Sequence, residues 1–266
     1  MVYNIPRIKL GRTGIMVTRL GIGGAYCKSV EGYRSALDCG VNYIDTARIY
    51  NDGDDERVIG EAIQGRRDNL ILATKTIQRD AAGARRDLET SLNLLKTDYI
   101  DVYQLHHLNT QPDREQAFAH GGALEEVQKA RDEGLVRFIG VTGHDWGQIQ
   151  IAVATGLFDT VLCWYSCAMR EPEKTILPEA HIHDTGVVIM NATRNGRLLN
   201  ETISPEQFYR YVLSHEDVDI TIMGLRDLDM FCRVASALVE RDDLTAQEKT
   251  ELEAYGMQMR DSRKLE

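Results

Sequence analysis

"NYIDTARIYNDGDDERVIGEAIQGRRDNLILATK", residues 42–75, contains one complete unit of the fold. The apolar run at Asn42–Asp45 is short and unalternating, as expected of a strand covered on both faces. Asp54, Asp55 and Glu56 then open an amphipathic helix that puts Val58, Ile59, Ala62 and Ile63 on one side. Acidic residues at that position suit the helix dipole. The run "LILATK" follows as a second strand. Strand, helix and strand in this order predict parallel pairing through a right-handed crossover.

The same unit recurs on both sides. Upstream, "PRIKLGRTGIMVTRLGIGG" gives two short runs, around Ile8–Leu10 and Ile15–Val17, joined through Gly11–Gly14 as a β-hairpin, and then a strand at Leu20–Gly23. Val30, Tyr33, Ala36 and Leu37 share the face of a helix that stops at Gly40. Downstream come a helix with Leu88, Leu92 and Leu95, the run "YIDVYQLH", the helix "ALEEVQKARDEG", the run "VRFIGVTG", a short helix near 146–155, and "FDTVLCWY". "GVVIMN" and "VDITIMG" add two more runs, separated by a helix that Ser204 caps and Pro205 begins. Eight strand-helix units predict a (β/α)8 TIM barrel as a single domain over 1–266, with an N-terminal β-hairpin and a C-terminal helix, "LTAQEKTELEAYGMQM". A doubly wound open sheet would carry G-x-G-x-x-G after its first strand, and "GIGGAY" does not match that pattern.

Composition narrows the functional class. The chain has 266 residues, 43% hydrophobic and 27% charged, which is enough apolar material for a full-sized core. A net charge of −10 argues against a nucleic-acid surface, since phosphate binding needs clustered Lys and Arg in excess. No apolar stretch is long enough for a membrane helix, and the N-terminus lacks the run of a signal peptide, so a cytoplasmic location is expected. The five cysteines are odd in number and irregular in spacing, which predicts buried thiols rather than a disulfide framework or a zinc site, and no metal is expected. "HIH" at His181–His183 precedes a strand instead of ending one, which disfavours metal-dependent hydrolysis.

In such a barrel the chemistry lies at the C-terminal ends of the strands. Three consecutive runs end on a polar residue, Asp45, Lys75 and His106, and Tyr50 follows in the loop after Asp45. Singly, each has a plain structural reading as a turn cap, a snorkelling lysine, a core histidine or a packed ring. Together they form an acid-base set. An ammonium beside a phenol favours phenolate and is expected to lower its pKa, a carboxylate keeps that ammonium charged, and an imidazole can orient a substrate oxygen. The set suits protonation of a carbonyl oxygen.

Asp45-x4-Tyr50 in "IDTARIY", Lys75 in "LATKT" and His106 in "DVYQLHH" resemble the Asp-Tyr-Lys-His tetrad of the aldo-keto reductases. "KLGRTGIMVTRLGIGGA" is similar to that family's opening hairpin and first strand, "IGVTGH" to its fifth strand, and "YVLSHEDVDITIMGLRD" to the segment around its eighth. The resemblance implies an NADP cofactor, with NAD possible, and hydride transfer to or from a small aldehyde, ketone, sugar or alcohol, with Tyr50 as general acid or base. It places the cofactor against Gly24, Asp45, Thr142, Gly143, Met190, Asn191 and Gly224, and the chemistry of arginine adds Arg194, Arg197 and Arg226 as candidate phosphate contacts. Gly224 would let a phosphate approach the backbone, and Arg226 would reach a 2′-phosphate. The chain also departs from the pattern: Thr142-Gly143 replaces Ser-Asn, Leu162 a glutamine, Met190 an aromatic, and Met230, Arg233 and Val234 the usual adenine contacts. Tyr26, His107, Trp146 and Trp164 belong to the same rim. These departures keep open a second reading, a non-catalytic nucleotide-sensing or binding subunit on the same barrel. The oligomeric state is not legible in the sequence.

Overall fold

The computed structural model describes residues 2–262. A hairpin of β1 (Arg7–Lys9) and β2 (Met16–Thr18) is followed by alternating strands and helices. In order these are β3 (Leu20–Gly23), α1 (Val30–Leu37), β4 (Tyr43–Asp45), α2 (Asp55–Ala62), β5 (Ile71–Thr76) and α3 (Ala81–Leu95). Next come β6 (Ile100–Leu105), α4 (Gln111–Phe118), α5 (Ala123–Asp132), β7 (Val136–Thr142), α6 (Trp146–Val153) and β8 (Thr160–Trp164). The chain ends with α7 (Ile176–His183), β9 (Gly186–Met190), α8 (Pro205–Leu213), β10 (Ile220–Gly224), α9 (Leu228–Glu240) and α10 (Ala246–Asp261).

The eight strands β3 to β10 form a closed, all-parallel barrel in sequence order, with β10 pairing back onto β3. This is the predicted (β/α)8 architecture. The predicted hairpin forms with Ile8 opposite Val17. Its Leu10, Ile15 and Val17 pack against Tyr43, Ala73, Val102, Leu162, Val188 and Ile220, which fill the barrel interior. Strand alternation sends Ile44, Leu72, Tyr103 and Ile139 outward to the helices. The register that aligns Lys75 with Gln104 and Gln104 with Gly140 puts a polar layer above this apolar plug. Gly140 has no Cβ for steric reasons: one would fall 2.7 Å from Gln104 Cγ and 2.6 Å from Thr160 Oγ1.

Two expectations change here. Helix α4 was not anticipated, because "QPDREQAF" buries only Ala117 and so carries little apolar periodicity. Its N-cap, Thr110, accepts from Asp113 N, and Pro112 occupies its first turn. The cysteines are not all free thiols, since Cys39, just after α1, is paired with Cys232 in α9 across 193 residues. Barrel closure makes α1 and α9 neighbours and brings the two Cα atoms to 6.0 Å, within disulfide reach. Cys27, Cys163 and Cys167 are buried thiols as expected, and burial pushes Cys163 and Cys167 up to about 12. Among the described residues no helix is long and apolar enough to cross a membrane.

Candidate active site

The ends of β4, β5 and β6 bring the four expected residues together. Asp45 and Lys75 point into the barrel from adjacent strands and are almost fully buried. Lys75 Nζ donates to Asp45 Oδ2 at 2.6 Å, to the Thr46 carbonyl at 2.6 Å and to Tyr50 Oη at 3.4 Å. The His106 ring meets the Tyr50 ring edge-on at 5.9 Å. Tyr50 itself leads into a turn in which Asn51, Asp52 and Gly53 all have positive φ (51°, 58° and 91°). Asn, Asp and Gly are the residues that tolerate this conformation, so "NDG" is the local reason the phenol can fold back over Lys75.

Electrostatics correct one expectation. Burial raises the Tyr50 pKa above its ordinary value, Lys75 opposes that rise, and Asp45 adds to it, with the net direction upward. The ammonium limits the penalty of desolvation without reversing it. Burial works against the Lys75 charge as well, but Asp45 and Tyr50 outweigh it, and the Lys75 pKa is raised. His106 is held neutral, its pKa pushed far down by burial and then by Lys75 and its neighbouring imidazoles. Its Nδ1 is buried with no hydrogen-bond partner among the described residues.

The family model described as the aldo/keto reductase family matches residues 25–208, a segment that includes all four of these residues. The chain belongs to the aldo/keto reductase family. It is 36% identical over 191 residues to aldo-keto reductase YhdN of Bacillus subtilis (strain 168), covering 63% of this chain and 56% of that protein. It is 27% identical over 219 residues to the NADH-specific methylglyoxal reductase of Escherichia coli (strain K12), covering 70% of this chain and 66% of that one. Both matches span less than two thirds of the relative's own length. An aldo/keto reductase from Klebsiella pneumoniae, solved in complex with NADP and acetate, matches with a TM-score of 0.78 at 25% identity, over 95% of this chain and 96% of that one.

In this aldo/keto reductase a groove of about 270 Å³ leads away from Asp45 and Tyr50. Gly24, Met190, Asn191, Gly224 and Arg226 are among the residues that line it. Thr142, Gly143, Arg194 and Arg197 are not in its lining. The guanidinium of Arg194 lies 4.8 Å over the Trp164 ring. The expected opening at Gly224 is also different, because the Tyr26 ring occupies the space a side chain there would take. Tyr26 Oη donates to Asn195 Oδ1 at 3.0 Å, and the Arg226 guanidinium lies 4.0 Å over its ring. A phosphate approaching the Gly224 backbone has to displace that ring. The groove is accordingly near the small end of ligand sites, which run from roughly 300 to 1,000 Å³.

Two supporting residues escape a reading based on strand ends. Gln104 Nε2 donates to Asp45 Oδ1 at 2.8 Å, two positions before His106 on the same inward face, a spacing that strand alternation makes legible. Asp55 is fully buried and has no cationic partner among the described residues, and it accepts from Thr46 Oγ1 (2.6 Å), Tyr33 Oη (2.8 Å), Asn51 Nδ2 (2.8 Å) and Ala25 N (3.3 Å). It therefore ties the Tyr50 loop to the segment that carries Tyr26. Asp55→Ala is expected to lower stability by about 1–3 kcal/mol, because several buried donors lose their acceptor. A denaturant midpoint equal to wild type would show that the loops hold without it.

Proposed function

We propose that the chain is an NAD(P)H-dependent carbonyl reductase in which Tyr50 is the general acid, and the base in the reverse direction. The observation that carries this is the contact series from Asp45 through Lys75 to the Tyr50 oxygen, with His106 beside it, at the end of a groove. The groove fits a nucleotide through its glycine floor at Gly23 and Gly24, the Asn191 side and the cation Arg226. The orphaned Nδ1 of His106 fits a polar substrate group next to it. When bound, a reduced nicotinamide supplies a hydride to the carbonyl carbon. Tyr50 delivers the proton from its Oη to the oxygen as charge develops there, which completes the alcohol. Neutral His106 orients that oxygen, and Lys75 stabilises the phenolate left behind.

NADP is proposed as the cofactor, with NAD accepted. The bound NADP of the Klebsiella relative and the NADH specificity of the Escherichia relative support both. Small aldehydes such as methylglyoxal are the first substrates to test, with consumption of reduced cofactor as the readout. No turnover of any carbonyl would remove the proposal. A cytoplasmic enzyme acting on small molecules is meant, and a purely nucleotide-sensing subunit would have no use for the proton-transfer contacts.

Arg226 is the proposed 2′-phosphate contact. A charged hydrogen bond contributes about 1.5–3 kcal/mol, roughly tenfold to a hundredfold in affinity. Arg226→Ala is expected to erase the preference for NADPH while leaving NADH binding nearly unchanged, as read by calorimetric titration of both. An unchanged ratio in the variant would place the phosphate elsewhere.

A further inference from the structure

The half of the mouth away from the groove is walled by a continuous row of rings. His107 contacts His106 at a centroid distance of 3.9 Å, and His144 follows at 4.8 Å. His144 stacks on Trp164 at 4.3 Å and 29°, and Arg194 lies over that indole. These residues come from the ends of β6, β7, β8 and β9, so the row follows the rim. None of His107, His144, Trp164 and Arg194 lines the groove. Tyr50 belongs to both halves, since it lines the groove and meets His106. A substrate whose carbonyl lies at Tyr50 would extend along the row.

The chemistry of the row is that of donors and a cation. Burial, then His144 and the cations Lys75 and Arg79, hold His107 down to about 4. Burial and Arg194 lower His144 as well. Arg194 is the charged member of the row, on a chain whose net charge of −10 would otherwise repel an anion. A guanidinium fixed over an indole is pre-oriented, and its planar fork matches carboxylate and phosphate oxygens.

We propose that this row is the substrate half of the mouth and selects aldehydes that carry an anionic group, with the anion at Arg194 and His144 and the carbonyl at Tyr50 and His106. One imidazole, His107, separates His106 from His144, at centroid distances of 3.9 Å and 4.8 Å, so the substrate has a few carbons between its aldehyde and its carboxylate or phosphate. The proposal rests on Tyr50 being the acid of a carbonyl reductase.

The test is steady-state reduction by the full chain with NADPH of two matched pairs, butanal against 4-oxobutanoate and glyceraldehyde against glyceraldehyde 3-phosphate. In at least one pair the anionic member is expected to have a kcat/KM about tenfold or more higher, mainly through KM, and the pair that shows it tells carboxylate from phosphate. Arg194→Met should bring that ratio to about one, Arg194→Lys should keep part of it, and Arg194→Glu should favour the neutral member. Added salt should weaken the wild-type ratio. Equal kcat/KM within both pairs, with the neutral aldehydes turned over, overturns this proposal and leaves the reductase reading standing. A ratio that survives Arg194→Met removes Arg194 from the role. Failure to reduce any aldehyde removes the reductase reading and this proposal with it.

Discussion

Tyr50→Phe is expected to lower the turnover of carbonyl substrates by about a hundredfold or more, the contribution typical of general acid catalysis. The substitution is narrow. Phe keeps the ring that meets His106 edge-on and the face that lies 4.7 Å from Lys75 Nζ, so packing and the cation-π contact remain. Only the oxygen that accepts from Lys75 is lost, and with it the proton that must reach the substrate. The remaining rate would come from orientation and from the His106 donor alone. Turnover at the wild-type level would assign the proton to another group. His106 is then the first alternative, although burial keeps its imidazole neutral.

The elements that sequence exposes best are those whose signal is local. Each barrel strand is a short apolar run covered on both faces, and closing such a run with Asp45, Lys75 or His106 is conspicuous because a charge or an imidazole is costly there. The "NDG" turn is legible for the same reason, since few residues tolerate its backbone. What stays hidden depends on distant parts of the chain meeting. Cys39 and Cys232 become partners only when α9 closes against α1. Tyr26 fills the slot over Gly224, and Asp55 joins the loops after β3 and β4, through contacts that no spacing encodes. The direction of the Tyr50 pKa shift belongs with these. Charge neighbours can be counted along a sequence, but desolvation is set by what the finished fold covers, and here it outweighs the ammonium.

That balance gives Lys75→Met two expected effects of opposite character. In the oxidation direction Tyr50 must be deprotonated to act as base, and Lys75 is the largest influence holding its pKa down against burial. Without the ammonium the Tyr50 pKa rises further, so the rising limb of the pH profile for alcohol oxidation should move to higher pH. A profile that superposes on wild type would count against any tuning role. The second effect is on stability. Asp45 would be left as a buried carboxylate bonded through Oδ1 to Gln104 but with no cation, and breaking such a pair costs about 3–5 kcal/mol. Burial already pushes the Asp45 pKa up, and loss of Lys75 removes the main influence opposing it. A folded-state pKa above the unfolded value near 3.9 means that protonation favours the folded form. The variant should therefore lose stability as pH rises through the raised Asp45 pKa and recover it on acidification. Asp45→Asn combined with Lys75→Met should recover much of that loss at neutral pH, because an amide oxygen can still accept from Gln104 without carrying a charge. Denaturant midpoints of the single and double variants at pH 5 and pH 8 decide the matter. If the single variant is equally stable at both pH values, Asp45 is not the charge that Lys75 holds in place.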